Sequence, residues 1–226
     1  MTAFEITSLQ IAGYADLPLQ NRFFRASQPS HAHPKTLALI LPGLNYSCDM
    51  PLLFYPAKLM LDRGADVLQV HSDYTTAIYQ TANRQDQAVW LATDTQAALR
   101  AGRAQDDYRQ LVLVGKSIGT LALASLVEGD LDLAAVAIWL TPLLTQARLL
   151  QAAASTRLPG LFVASRSDPT FEAGALERIQ EQANAEALLF DGANHSLEIP
   201  GDLFQSLEIM RQVLQGIQSF LEKHLD

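Results

Sequence analysis

A single cysteine, Cys48, in 226 residues excludes an intramolecular disulfide and fits a reducing compartment. Basic residues are scarce: 16 Lys and Arg stand against 24 Asp and Glu, a formal net charge of −8, and no Lys/Arg run is present. Neither a nucleic acid nor an anionic membrane surface is therefore expected as a partner. Long hydrophobic runs are missing as well. The most apolar stretch, Leu133 to Leu144, contains Thr141 and Pro142 and falls short of the roughly 20 residues of a membrane span. The first ten residues hold no basic leader followed by an apolar core, so no signal peptide is expected and the chain reads as cytoplasmic. There is no repeat, low-complexity tract or Gly/Ser linker. At 49% hydrophobic, residues 1–226 suffice for a single domain with a full core.

What is present alternates. Strands are predicted at Thr36–Leu41, Asp66–Val70, Leu111–Val114, Ala134–Leu140, Leu161–Ala164 and Ala187–Phe190. Between them lie helical patterns over Pro51–Arg63, Arg84–Arg100, Ser117–Val127, Thr145–Ala154 and Phe171–Ala183, with Gly64 and Gly102 as stops. Such alternation is the signature of an α/β fold with a parallel sheet covered on both faces. A last helix carries Leu203, Leu207, Met210, Val213, Leu214, Ile217 and Leu221 on one apolar face. The first 26 residues read as two antiparallel edge strands. Between Leu140 and Thr145 the chain is too short to hold a cap domain.

The chemistry lies in Gly115-Lys116-Ser117-Ile118-Gly119, a G-x-S-x-G pattern joining the clearest strand directly to a helix. A sharp strand-to-helix turn pushes the central hydroxyl out of the sheet and needs tiny flanking residues. It also sets Ser117 at a helix N-terminus, where N–H groups favour developing negative charge. Gly-Lys-Ser hints at a phosphate-binding loop, but that loop needs a glycine where Gln110 stands.

A serine hydroxyl needs a base, and there are five histidines. His31 and His33 precede the first central strand and belong to the opposite end of the sheet. Their H-x-H spacing lacks a third ligand nearby, so no metal is expected. His224 ends the last helix and is expected to face solvent. His71 ends a strand at the correct edge, and His195 follows the last strand at that same edge. His195 is the candidate base, with His71 as a pocket-lining second. Asp168 ends an intervening strand segment; an Asx-turn before Pro169 is its plainer reading. Asp191, four residues before His195, is the rival orienter and more suited to capping a turn. The order Ser117, Asp168, His195 is that of an α/β-hydrolase arrangement, which favours Asp168. Two backbone donors for an oxyanion fall at Ile118 and, in the loop after Thr36–Leu41, at Leu44.

On these motifs the chain resembles the α/β-hydrolase superfamily from about Thr36 to the C-terminus. It looks most like the small cap-less serine hydrolases related to dienelactone hydrolases and short carboxylesterases. The resemblance implies a three-layer α/β/α fold with a roughly eight-stranded, mostly parallel sheet. It implies nucleophile, orienter and base at Ser117, Asp168 and His195, acting on an ester, thioester or related acyl bond of a small substrate without a cofactor. A binding or scaffold protein with a vestigial triad is the alternative. Many members carry His-Gly where this chain has Pro42-Gly43. Tyr46, Met50, His71, Tyr74, Pro142 and Leu143 are the candidates to line the pocket. Lys116 is expected to face solvent and Cys48 to be a buried, inert thiol. Monomer and homodimer both remain open.

Overall fold

A computed structural model describes residues 4–26, 35–129 and 131–225. The chain runs β1 (Phe4–Thr7), β2 (Asn21–Ala26), β3 (Thr36–Leu41), α1 (Pro51–Asp62), β4 (Asp66–Val70), α2 (Ala77–Thr81), α3 (Arg84–Arg103) and β5 (Gln110–Lys116). It continues through α4 (Ile118–Val127), β6 (Ala134–Leu140), α5 (Ala147–Ser155), β7 (Gly160–Ser165), α6 (Ala173–Gln182), β8 (Ala185–Phe190) and α7 (Leu203–His224). All eight strands join one sheet in the order β1-β2-β4-β3-β5-β6-β7-β8. The pairings β1·β2 and β2·β4 are antiparallel, with β1 at the sheet edge and β2 between it and β4; the other five are parallel.

Period-two alternation divides the core into two layers. Leu37, Leu39, Leu41, Leu111 and Leu113 pack with Leu91 and Ala98 of α3, Leu123 of α4, Leu149 of α5 and Ile179 of α6. Ala38, Ile40, Val112, Val114, Val136 and Ile138 pack with Leu52, Leu53 and Met60 of α1 and Val213 and Ile217 of α7. Helices thus cover both faces, and β3, β5 and β6 are buried nearly end to end. Their near-continuous aliphatic runs follow from that double burial. Among the described residues no helix is long and apolar enough to cross a membrane.

The structure departs from the sequence reading in a few places. α2 was not anticipated, being a five-residue helix capped by the Thr76 side chain. α3 runs through Gly102 rather than stopping there. A Cβ at Gly102 would come within 3.0 Å of Leu37 Cδ2 and 3.2 Å of Leu68 Cδ2, so the glycine permits close packing of helix on sheet. His224 is not turned to solvent: its side chain is 12% exposed, and Nε2 meets Glu186 Oε1 at 2.8 Å. His31 and His33 lie outside the described residues. Only residues 141–146 connect β6 to α5, and they form no cap.

Candidate active site

Ser117 stands between β5 and α4 with φ 54° and ψ −119°. A non-glycine residue held there carries strain of order 1–3 kcal/mol, which the surrounding structure must sustain. The surroundings explain how. A Cβ at Gly115 would lie 2.5 Å from the Gly119 carbonyl oxygen, and a Cβ at Gly119 would lie 2.5 Å and 2.6 Å from the oxygens of Leu41 and Pro42. Both glycines are therefore demanded by backbone-to-backbone approach. The Ser117 N–H donates to Leu140 O at 3.1 Å, tying the turn to β6.

The loop after β8 brings His195 over this turn. His195 Nε2 lies 2.9 Å from Ser117 Oγ, and His195 Nδ1 lies 2.6 Å from Asp168 Oδ2. An ionised carboxylate only accepts, so the ring proton belongs on Nδ1 and Nε2 is left to accept from the serine hydroxyl. Asp168 also performs the turn function of the plainer reading: its Oδ1 accepts from the Thr170 N–H at 2.8 Å and hydroxyl at 2.9 Å. Its side chain is only 1% exposed. Burial works against its charge, but the hydrogen bonds from His195 and Thr170 outweigh that and hold the carboxyl below the usual aspartate range. Asp191 does not touch the histidine; it pairs with Arg166 at 3.1 Å.

The residues after β3 form a tight turn, with reciprocal Gly43–Tyr46 backbone hydrogen bonds of 2.9 Å and 3.3 Å and Asn45 at φ 54°. The Leu44 N–H makes no backbone hydrogen bond among the described residues. The Ile118 N–H, first in α4, has no acceptor within its own helix. Leu44, Ile118, Ser117 and His195 all line one cleft of about 550 Å³.

Of the six residues expected to line the pocket, only Leu143 does so. Tyr46, Met50, His71 and Tyr74 line a separate cavity of about 350 Å³, with Pro42, Gly43 and Asn45. Pro142 is buried and lines neither. The Gly43–Tyr46 turn lends residues to both cavities, and which side of it a side chain takes is a matter of rotamer and backbone path. The walls that sequence reasoning missed include Leu91, Leu121, Arg84, Arg148 and Thr170. Thr170 alone had a local signal, its Asx spacing from Asp168. Cys48 is fully buried, with its Sγ 3.2 Å from Val70 O; burial pushes the thiol up to about 12, which leaves it unreactive. Lys116 does not face solvent: it is 2% exposed.

No protein-family model matches this sequence, and no curated protein matches it. Solved structures do. A lidless α/β serine hydrolase from Xanthomonas campestris superposes with TM-score 0.71 at 17% identity, covering 98% of this chain and 95% of the other. The chain has the α/β-hydrolase fold. A Pyrococcus furiosus esterase matches with TM-score 0.71 at 12% identity, over 100% of this chain and 94% of the esterase. A dienelactone hydrolase from Anabaena variabilis matches with TM-score 0.69 at 17% identity, over 100% of this chain and 99% of that enzyme.

Proposed function

We propose that this α/β-hydrolase-fold chain is a serine hydrolase that cleaves an ester, thioester or related acyl bond of a small substrate. The observation that carries this reading is the unbroken relay from Ser117 Oγ through His195 to the buried Asp168 carboxylate, starting from a strained serine. Ser117 Oγ attacks the carbonyl carbon while His195 Nε2 takes its proton, and Asp168 stabilises the imidazolium that results. The N–H groups of Leu44 and Ile118 receive the negative oxygen. When the tetrahedral species collapses, His195 returns the proton to the leaving oxygen or sulfur, giving the acyl-enzyme. Water then repeats the sequence and frees the acid. The apolar walls Leu44, Leu91, Leu121 and Leu143, with no cap above them, suit a short acyl chain. The named hydrolases and esterases of the same fold support this choice of chemistry.

The test is labelling by a fluorophosphonate probe, together with turnover of p-nitrophenyl esters of graded chain length. One label per chain, lost in Ser117→Ala, and a preference for short acyl groups are expected. A folded wild-type chain that takes no label would overturn the reading and leave a non-catalytic binding protein on this fold.

A further inference from the structure

The reaction just described makes no use of Lys116, the residue before the nucleophile. Its direction follows from the strand. Along β5, Leu111 and Leu113 face the α3–α6 layer, and Val112 and Val114 face the α1/α7 layer, so Lys116 turns toward the latter. There its side chain is among the largest that are fully buried. Taking an ammonium out of water is unfavourable unless it is compensated, so its presence at this point calls for a cause.

Two contacts define what it touches. Lys116 Nζ sits 4.5 Å from the centroid of the Tyr46 ring, a cation–π arrangement. Its stem runs beneath the Gly43–Tyr46 turn, where a Cβ on Gly43 would come within 3.0 Å of Lys116 Cδ and 3.4 Å of Lys116 O. Tyr46 is fixed at its far end too, its hydroxyl accepting from the Leu52 N–H at 2.9 Å as α1 begins. Lys116, Tyr46 and Gly43 thus pack on one another within the turn that carries Leu44. The charged group that acts on the ammonium is the Asp168 carboxylate, from the loop after β7. The other titratable group facing it is the Tyr46 phenol, itself acted on by Glu198.

We propose that Lys116 is a positioning residue for the hydrolysis. Its stem props the turn that presents the Leu44 N–H, and its buried charge favours the negative oxygen that forms beside that turn. The proposal rests on the serine-hydrolase reading. A fixed cation in a site sheltered from water acts over several ångströms with little screening, and it is in place before the reaction begins. Burial lowers the lysine to about 8, with Asp168 opposing, so its charge is lost within an accessible pH range.

The experiment compares the wild-type chain with Lys116→Met, which keeps the stem and removes the charge. Readouts are kcat and KM from pH 6 to 10, thermal melting and fluorophosphonate labelling. We expect the variant to fold, to keep KM within about twofold and to lose about tenfold in kcat at pH 7. Wild-type kcat should decline above pH 8 toward that of the variant, whose own profile is level there. A merely structural lysine would not produce that alkaline limb. A labelled, folded variant with wild-type kcat and an unchanged profile overturns the proposal alone. A wild-type chain that takes no label overturns the hydrolase reading and this proposal together. Should Lys116→Met fail to fold, the wild type still decides: a kcat level from pH 7 to 10 overturns the inference.

Discussion

His195 and His71 stand at the same edge of the sheet, and their surroundings put them to different ends. His195 gives Nδ1 to the Asp168 carboxylate and keeps Nε2 for the Ser117 hydroxyl. His71, just past β4, accepts from Arg22 Nε at 3.0 Å through its Nε2. The carboxylate close to it, Asp49, is held by Arg22 and not by the ring. Burial, and then the guanidinium, lower the His71 pKa below that of an ordinary histidine. A carboxylate behind one nitrogen readies the other as a base. A guanidinium in front of it occupies the lone pair that a base needs.

The strongest way to break this contrast is to remove each ring. His195→Gln should lower kcat/KM by on the order of 10⁴- to 10⁶-fold, whereas His71→Gln should stay within about twofold. Steady-state ester hydrolysis on folded variants measures both, and comparable losses would erase the distinction. The carboxylates sharpen it at the next level. Asp168→Asn should cost about 10³- to 10⁴-fold in kcat, because an amide favours the wrong imidazole tautomer, while Asp191→Asn should change it by less than about twofold. If the ranking came out reversed, Asp191 would be the orienting group. The smallest effect is on stability. Since the folded pKa of His71 lies below its unfolded value of 6.5, the unfolded state binds more protons between the two, and stability rises with pH across that window. The urea midpoint of the wild type should therefore climb from pH 5 to 7 more steeply than that of His71→Gln. Parallel slopes would mean that titration of the ring is not linked to folding.

The bounds of β3 and β6 were legible in the sequence because each is a buried, nearly all-apolar run closed by turn residues, and those of β4 because Val67, Leu68 and Val70 lie between Gly64 and the polar stretch from His71. The turn at Ser117 was legible because two backbone clashes leave glycine as the residue that fits at positions 115 and 119. Such constraints are local and leave a written mark. α2 left none, since five residues complete too little of a helical period to register. Gly102 carried a true signal, for close approach, that reads the same as a stop. The pocket walls were missed because residues from Tyr79 to His195 converge on one cleft from separate elements. Lys116 differs from these. The alternation Val112, Val114, Lys116 along β5 already placed it on a buried face, and the usual habit of lysine outweighed that pattern.

Gly119 lies flush against the carbonyls of Leu41 and Pro42, so main chain meets main chain between the start of α4 and the loop that carries Leu44. At that contact the spacing is set by backbone atoms. The cleft walls Leu91, Leu121 and Leu143, by contrast, are side chains on three different segments. Inheritance acts differently on the two. A lineage descended from this chain can exchange its walls one at a time and so reshape its cleft, while the frame beneath is passed on unaltered. Position 119 offers no such path, because its first step, a single methyl group, already wedges the frame apart.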